Sequence, residues 1–543
     1  MRYYGYQDDA ALKVKAAEMA GAIGCLIYSD PADDGFVRGA VTPEGPWRTA
    51  DSVQRGSVSL TNFILGDPLT PGRASDAEAE RVAKDDSPGL VKIPSLPLAW
   101  RDAQVLLKAL DSKGLRVPDN WIGGVPDTEW WTGNQSSPVV NLVNMQDEVE
   151  RQPIRNVIGK IDGIEAPEKA VFIGNHRDAW CYGAISPGGG TAVFLEVVRV
   201  IGELIKIGWR PRRTIYFGSW DAGEFNMMGS TEHVEKRLEE LRMHAVAYLN
   251  VDAAMFGPDF SATASPLLER PLLRVLDRVQ DPFANVSLRQ LWDERKTKLE
   301  GLGIDGDYAA FQDLAGCSSI DFGFRGEDHS YPYHSCYESF AYTKDTLDPN
   351  FAYHATLVEV WVLLILELVD EPVLGMDFTA YAREVQAYIA DLRNDVSDMT
   401  AHADDDRSDT LNFTPLEEAA QLLQDNGVKF MEWEDWWRTT VMSRGMTESR
   451  ELGIRRLSHN ARMSNFETHL LDLPPQHENR TGGVPGREQF KHVIFGPQAW
   501  SLGAGKYFPA VRDALENGDW TAAQAQLEIV ARVLHHAADK LLN

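Results

Sequence analysis

The 543-residue sequence predicts an α/β protein in which a doubly wound mixed sheet is preceded by a β-rich segment and followed by a helical domain. Strand and helix patterns alternate between about residues 151 and 372, as in a doubly wound sheet. Beyond residue 373 the strand patterns end and long helical patterns replace them. The length exceeds what one hydrophobic core ordinarily holds, so two to four domains are expected.

The first 150 residues contain long segments rich in Gly, Pro and Asp, which are typical of turns. Within them, residues 10–20 predict a helix and residues 24–30 a short strand. This irregular composition favours a β-rich inserted domain over a nucleotide-binding fold. Residues 139–149 and 155–161 then predict strands that lead into the central unit.

Three short apolar runs in the central unit predict buried strands, at residues 170–173, 214–217 and 245–249. The polar residues that follow these runs are His176 and Asp178, Asp221 and Glu224, and Asp252. Because the carboxyl ends of parallel strands meet at one edge of a sheet, they predict a metal or acid–base site there. His334, much later in the chain, is a candidate fourth component.

Helical patterns account for the rest of the chain. Residues 191–207 predict an amphipathic helix that follows a Pro-Gly-Gly-Gly turn at residues 187–190. That run lacks the GxxxxGK[ST] pattern, so it predicts a tight turn bringing the helix close to the site rather than a phosphate cradle. Residues 378–396, 415–427 and 520–542 predict a terminal helical domain suited to self-association. The apolar run 360–366 is far shorter than the roughly 20 residues that span a bilayer, which indicates a buried helix.

The overall charge and the cysteines exclude several function classes. A net charge of -28 without a basic stripe argues against a nucleic-acid partner and indicates a solvated acidic surface. The four cysteines, Cys25, Cys181, Cys317 and Cys336, are scattered and support neither a disulfide scaffold nor a zinc finger. No signal peptide opens the sequence.

Zinc suits the residue types at the predicted strand ends. Catalytic zinc takes His nitrogens and carboxylate oxygens, and paired ions about 3.5–4 Å apart usually share a bridging ligand. Taken singly, each of these residues is more often a cap or a surface residue. Their combination suits a zinc site, and from the residues alone a metal site and an acid–base site both stay open.

Four longer segments resemble the glutamate carboxypeptidase and transferrin receptor family of zinc-peptidase-fold proteins: GNHRDAW at 174–180, residues 208–236, AYLNVDAA at 247–254 and YPYHSCYES at 331–339. The resemblance covers essentially the whole chain. It implies a protease-associated apical domain over 1–150, a zinc-peptidase-like domain over 151–372 and a helical dimerisation domain over 373–543, which would form a homodimer. Met1 falls inside the apical domain, so that domain is expected to be truncated. The resemblance suggests a membrane-anchored or secretory or vacuolar protein, but the sequence leaves the compartment open.

The resemblance also assigns the site residues. It places a first zinc on His176 and Asp252, with Asp178 orienting the histidine, and a second zinc on Glu224 and His334. Two positions depart from the pattern of active members. Ser186 stands where the bridging aspartate is expected, and Gly223 stands where a glutamate would act as general base.

These two losses predict a catalytically impaired protein. Without the bridge, each half-site keeps two protein ligands where catalytic zinc usually has three, so zinc is expected to be absent or at partial occupancy. Glycine cannot take a proton from a zinc-bound water, a step that contributes about 10²- to 10⁴-fold. The leading hypothesis is therefore a binding or adaptor protein. The alternatives are an active metallo-exopeptidase, of carboxypeptidase or aminopeptidase type, with a reduced metal site and non-glutamate specificity, and a truncated, non-functional product.

The expected substrate pocket departs from the resemblance as well. Leu502 and Gly503 replace a Lys-Tyr pair that binds a terminal glutamate, although Lys506 and Tyr507 follow closely. Residues 318–324 contain no arginine where the resemblance has an arginine-rich patch. Glutamate-specific hydrolysis is not expected.

A second ion is implied elsewhere in the chain. Glu232 and Glu235 match glutamates that hold a structural calcium in the resemblance, together with backbone oxygen from Thr70 and its neighbour Arg73. Paired carboxylates at this spacing otherwise form a solvated helix face. Calcium here would fasten the apical domain to the peptidase-like domain.

Overall fold

Eight strands and fifteen helices form the described part of the chain, which in this computed structural model comprises residues 1–2, 10–147, 149, 151–326, 331–401, 411–443, 447–475, 477–478, 480–500 and 507–543. The strands are β1 (Cys25–Tyr28), β2 (Ser95–Leu98), β3 (Val157–Ile161), β4 (Ala166–His176), β5 (Arg213–Trp220), β6 (Ala245–Asn250), β7 (Asp259–Ala264) and β8 (Ser319–Arg325). The helices are α1 (Ala10–Met19), α2 (Pro31–Asp34), α3 (Trp100–Lys108), α4 (Gly188–Lys206), α5 (Met228–Lys236), α6 (Leu238–His244), α7 (Glu269–Leu276), α8 (Leu288–Glu294), α9 (Phe340–Tyr342), α10 (Ala352–Val369), α11 (Phe378–Ala401), α12 (Thr414–Trp437), α13 (Arg450–Ser464), α14 (Pro509–Glu516) and α15 (Trp520–Lys540).

A six-stranded mixed sheet occupies the centre, in the order β3-β5-β4-β6-β8-β7. The four inner strands run parallel, while β3 and β7 pair antiparallel at the two edges. All six residues of β6 are buried, as expected for an inner parallel strand covered on both faces. The predicted doubly wound mixed sheet is confirmed.

Successive side chains of β4 enter two different cores, because neighbouring residues of a strand point to opposite faces. Val171 and Ile173 join the larger core, which α4 and α10 cover. Phe172 instead joins a smaller core with Val234 of α5 and Leu241 of α6. The sheet therefore has helices on both faces, and its carboxyl edge stays open for polar residues.

Helix α4 begins in the glycine run at 188–190, slightly before the predicted start. A Cβ on Gly190 would lie 2.0 Å from the Asp252 carbonyl oxygen, so only glycine permits this close approach. This contact brings the start of α4 close to Asp252, one of the predicted site residues, as expected for a turn that brings the helix close to the site.

The apolar helix α10 lies inside the molecule. Among the described residues, the segment Pro349–Val369 is the one stretch long and apolar enough to cross a membrane, and 61% of its apolar 18-residue window is buried. Val360, Trp361 and Leu364 are fully buried against the sheet. The prediction of a buried core helix is confirmed.

The described part of the first 150 residues holds less β-structure than predicted. Helix α1 and strand β1 form where expected, but the only sheet there is the parallel pair of β1 and β2, each four residues long. Within residues 139–147 and 149 no strand forms, and Val139 and Met145 are 98% and 88% exposed. The strand prediction for 139–149 is wrong because alternating apolar residues make a strand only where a neighbouring strand pairs with them.

Long helices dominate the C-terminal part, and the three predicted helical segments coincide with α11, α12 and α15. Helix α12 packs between α11 and α15, and α14 packs on α15. Their apolar side chains belong to the same continuous core as those of β4 and α10. The helical domain is thus joined to the sheet by packing.

A disulfide joins Cys181 to Cys336, with Cα atoms 5.2 Å apart. The scattered spacing of the four cysteines gives no indication of this single bond. These two cysteines are 155 residues apart, so no local spacing could reveal the pair, and the sheet edge brings them together. The bond links the segment after β4 to the segment that carries His334. Cys25 and Cys317 are free and buried.

Candidate metal site

The end of β4 places His176 against Asp252. The His176 Nε2 lies 3.1 Å from the Asp252 Oδ1, and its Nδ1 donates to the backbone oxygen of Asp178 at 3.1 Å. Burial opposes protonation, but the carboxylates of Asp252 and Asp178 outweigh it and raise the pKa of His176 well above its ordinary value. Burial alone would raise the pKa of Asp252, yet His176 holds it below the ordinary value. The two side chains therefore form an ion pair.

A second pair forms from Glu224 and His334. The His334 Nε2 lies 3.0 Å from the Glu224 Oε2, and its Nδ1 donates to the backbone oxygen of Arg55 at 3.0 Å. The other carboxylate oxygen, Glu224 Oε1, is buried and has no hydrogen-bond partner among the described residues. An unpartnered buried carboxylate oxygen favours a cation or a further donor at this position.

Asp178 organises the turn between these pairs. Its carboxylate accepts from the backbone N–H of Gly223 at 2.7 Å and of Glu224 at 3.1 Å. Asp221, the remaining polar residue predicted here, instead accepts from the backbone N–H of Arg155 and lies 3.4 Å from the Arg177 side chain. Four of the five strand-end residues thus meet at the site, and Asp221 points elsewhere.

Ser186 forms hydrogen bonds with both Asp252 and Glu338. Its hydroxyl donates to the Asp252 Oδ1 at 3.2 Å, and its backbone N–H donates to the Glu338 Oε1 at 2.6 Å. The other oxygen of Glu338 accepts from the backbone N–H of His334 at 3.1 Å. The hydroxyl therefore stands beside Asp252 where the resemblance has a bridging carboxylate.

The position of Gly223 is crowded by the imidazole of His176. A Cβ added to Gly223 would lie 2.5 Å from both the Cβ and the Cγ of His176. Contacts this short do not occur between real side chains, so any larger residue would displace the histidine. His176 takes the space that a side chain at 223 would need.

The described residues do not fit a complete dizinc centre. The Nε2 of His176 faces the Asp252 carboxylate, and the Nε2 of His334 faces the Glu224 carboxylate. Each of these two half-sites therefore offers one nitrogen and one carboxylate. No group of three or more His, Cys, Asp or Glu in the described part of the chain is arranged to hold a metal ion. Catalytic zinc usually needs three protein ligands.

Two carboxylates at the site were not predicted from the sequence. Burial raises the pKa of Glu338 to about 8, against three backbone N–H donors that lower it. Burial also raises the pKa of Asp307 to about 6, while the Ser230 hydroxyl donates to it at 2.6 Å. Glu338 lies four residues after His334 in a segment that carries the family resemblance, which is the signal that could have found it. Asp307 follows no strand, and its sequence surroundings carry no signal.

The predicted substrate pocket lies partly outside the described residues, as do Leu502, Gly503 and Lys506. Tyr507 is buried and stacks on Tyr388, with ring centroids 3.3 Å apart. An arginine does occur directly after the segment 318–324: Arg325 donates to the backbone oxygen of Ala253 at 2.7 Å and lies 3.5 Å from Asp321.

The predicted calcium residues lie where the first 150 residues meet α5. Glu232 accepts from the backbone N–H of Asp67 at 2.8 Å and from that of Ser75, in the loop that contains Thr70 and Arg73. Glu235 accepts from the Gln489 side chain at 2.8 Å, and burial followed by the Glu232 charge raises its pKa to about 8. The Thr70 hydroxyl is buried without a partner among the described residues. The Arg73 guanidinium donates to the backbone oxygen of Glu80.

The mixed sheet, with His176 and carboxylates at or just beyond the carboxyl ends of its strands and His334 on a later segment, has the arrangement of a zinc-peptidase fold. Peptidase family M28 matches residues 156–358, and the Transferrin receptor-like dimerisation domain matches residues 411–542. The probable glutamate carboxypeptidase LAMP1 of Arabidopsis thaliana is 34% identical over 97% of this chain and 72% of its own length. The chain therefore belongs to the glutamate carboxypeptidase and transferrin receptor family.

Other relatives differ in the activity that their names state. An inactive zinc metalloprotease of Schizosaccharomyces pombe is 31% identical over 98% of this chain and 65% of its own length. The aminopeptidase NAALADL1 of Mus musculus is 29% identical over 99% of this chain and 73% of its own length. Among solved structures, a zinc aminopeptidase from Bacillus subtilis aligns with 67% of this chain and 68% of its own, at 16% identity and a TM-score of 0.37.

Proposed function

We propose that this chain is a glutamate carboxypeptidase-like protein with a degenerate dizinc site, and that it binds a peptide or protein ligand without cleaving it. The crowding at Gly223 carries the proposal, because the position expected to hold the general base has no room for a side chain beside His176. The neutral hydroxyl of Ser186 supports it, since serine cannot offset the repulsion between two adjacent dications.

Zinc content tests the state of the metal site. Purified protein would be incubated with zinc, freed of excess metal and analysed by mass spectrometry. We expect less than one zinc per chain, because each half-site offers two ligands. The Ser186→Asp variant, which restores a shared carboxylate, should bind more zinc than the wild type. Two ions per wild-type chain would overturn the proposal.

An active exopeptidase with a reduced metal site is the second candidate. The unpartnered Glu224 Oε1 beside His334 favours it, because that oxygen is free to bind a cation. Hydrolysis of a panel of dipeptides and N-acylated dipeptides distinguishes the two candidates. Activity that is lost in His334→Ala and kept in the variant of an exposed histidine, His535→Ala, would establish the second candidate. No turnover of any substrate in the zinc-loaded protein supports the first.

We also propose that two copies associate through the C-terminal helical domain. The match to a transferrin receptor-like dimerisation domain supports this, as do the exposed apolar side chains of Trp436 and Ile454. Light scattering of the purified chain should give twice the monomer mass. A double change of Trp436 and Ile454 to Arg should weaken the dimer, whereas Ile207→Arg, at an exposed position of the peptidase-like domain, should not. A monomer for the wild type at micromolar concentration would contradict the assignment.

A structural calcium at Glu232 and Glu235 is the remaining part of the proposal. The raised pKa of Glu235 beside a second carboxylate supports it, because a divalent cation would relieve that repulsion. The ion would fasten the loop at residues 67–75 to α5, next to the hydrogen bonds that Glu232 already makes with that loop.

A further inference from the structure

A cavity of about 420 Å³ lies at the junction of three parts of the chain, away from the candidate zinc residues and with Glu235 of the proposed calcium site in its wall. One wall comes from the first 150 residues, at positions 63–64, 71–72 and 88. The second comes from α5, α6 and Leu314, and the third from residues 481–491. None of His176, Glu224, Asp252 or His334 lines it. Its volume falls within the range of about 300–1,000 Å³ that small-molecule sites occupy.

The cavity has a largely apolar wall. Phe63, Ile64, Leu238 and Leu314 all line it, and Ile64 and Leu314 are each 3% exposed. Apolar walls gain free energy when an apolar group displaces water from them. The apolar part of a ligand would therefore be held here by burial.

Two cations at the cavity lack a buried acidic partner. Arg242 pairs with Glu239, which is 84% exposed, and donates to the Leu314 carbonyl at 3.0 Å. The Arg242 Nε is buried and has no hydrogen-bond partner among the described residues. Lys491 donates to the backbone oxygens of Thr481 and Gly482 at 2.9 and 3.0 Å.

Burial lowers the pKa of both Arg242 and Lys491, in agreement with the absence of a buried acidic partner beside them. The charge of Asp472 raises the pKa of Lys491. The Asp472 carboxylate, however, already accepts two hydrogen bonds from the Arg480 guanidinium, at 2.6 and 2.9 Å. A ligand carboxylate would supply the acidic partner that Arg242 and Lys491 lack.

The remaining charged residues at the cavity are already engaged. Arg487 pairs with Asp513 and donates to the Asn62 carbonyl. Glu235 accepts from Gln489, and Glu488 accepts from the Gly486 backbone. Of the three cations that line the cavity, Arg487 is held by the Asp513 carboxylate, so Arg242 and Lys491 are the two that remain for an anionic ligand.

We propose that this cavity binds a small amphiphilic monoanion of the medium-chain carboxylate class. Its carboxylate would lie on Arg242 and Lys491, and its apolar body against Phe63, Ile64 and Leu314. Because the three walls come from distant parts of the chain, the ligand would hold the first 150 residues to the peptidase-like and C-terminal parts.

Binding of decanoate to the full-length chain tests the proposal. Isothermal titration should give saturable binding of one decanoate per chain. A decanoate concentration that saturates the site should also raise the melting temperature of the protein. Decanamide, which keeps the apolar body without the charge, should bind at least about tenfold more weakly, since a hydrogen bond to a charged group contributes roughly this much. Acetate, which keeps the charge without the body, should also bind at least about tenfold more weakly, because it buries almost no apolar surface.

Matched variants locate the site. Arg242→Gln should weaken decanoate binding at least about tenfold, because the charge-assisted bonds are lost. Arg237→Gln, at the start of the same helix but outside the cavity, should leave it unchanged. If Arg242→Gln folds poorly by circular dichroism, Thr481→Trp takes its place, since the large side chain at the exposed edge of the cavity should block entry. Equal affinity for decanamide and decanoate, equal losses in Arg237→Gln and Arg242→Gln, or no saturable binding would overturn the proposal.

Discussion

At the scale of single residues, Gly223 has no side chain, and the His176 imidazole occupies the space beside it. The sequence predicts the loss of a general base at 223, because the surrounding motif is recognisable. It does not predict that the imidazole of His176 lies within 2.5 Å of where a Cβ would be. That contact joins the ends of β4 and β5, which are far apart in sequence, and only the folded chain brings them together.

The Gly223→Ala variant should therefore destabilise the metal-free protein. The added methyl group would meet the His176 ring, and overpacking of this kind costs about 1–3 kcal/mol. Thermal or urea unfolding measures the change. Gly202→Ala is the control, because a Cβ there meets nothing within 4 Å and alanine favours a helix by about 0.5–1 kcal/mol. A Gly223→Ala variant as stable as Gly202→Ala would contradict the crowding.

His459 should make the protein less stable in acid. Its ring stacks on Phe430 at 3.8 Å, and burial, followed by the charges of Arg462 and Arg438, lowers its pKa to about 3. Below the unperturbed pKa of about 6.5, the histidine takes up a proton in the unfolded state but stays neutral in the folded state. The contribution of buried His459 to the free energy of unfolding is therefore fully present above that pH. It is lost as the pH falls further, by at most about 1.4 kcal/mol per pH unit.

Urea unfolding between pH 7.5 and 5 measures this effect. His459→Phe keeps a ring for the stack and removes the titration, so its stability should fall less between these two pH values than that of the wild type. His535→Phe changes an exposed histidine and should keep the wild-type dependence. Identical pH profiles for the wild type and His459→Phe would refute the assignment.

At the scale of elements, local periodicity predicts the strands and helices with strong patterns. Strands β4, β5 and β6 and helices α4, α11, α12 and α15 form where the apolar spacing places them. The strand predicted at 139–149 does not form, because its apolar alternation finds no neighbouring strand. The disulfide between Cys181 and Cys336 was also missed, since strand order at the sheet edge decides which cysteines meet.

Calcium should stabilise the contact between the loop at 67–75 and α5. At a concentration 100 times the dissociation constant, a bound ion adds about 2.7 kcal/mol. We expect a higher melting temperature in calcium than in EGTA, and no difference in Glu235→Gln. Glu239→Gln changes an exposed carboxylate on α6 and should respond like the wild type. An unchanged melting temperature of the wild type in calcium would remove the ion from the proposal.

At the scale of the whole molecule, the peptidase-like and helical parts share one core. That core extends from Val171 of β4 to Leu534 of α15. A buried polar network also crosses between the parts: Glu467 accepts from the Ser265 and Tyr381 hydroxyls and lies 2.7 Å from the His492 Nε2. The sequence predicts three domains, with the boundary between these two near 373, but composition alone does not reveal that the two share one core.

The shared core predicts that these two parts unfold together. Differential scanning calorimetry of the full chain should show one transition for both, because exposing either part also exposes the core of the other. Breaking the polar network by Glu467→Gln should shift that transition without splitting it. Glu528→Gln, on the exposed face of α15, should have little effect. Two resolved transitions assigned to residues 151–372 and 373–543 would contradict the shared core.

The Cys181–Cys336 bond also makes part of the chain a closed covalent loop. Strands β5, β6, β7 and β8 all lie inside it. A protease that cuts one peptide bond between the two cysteines leaves both fragments attached to each other. The nicked chain would migrate as a single species in denaturing electrophoresis without reductant, and would separate into two bands once reductant is added. Any count of intact molecules after exposure to proteases therefore requires the reduced sample.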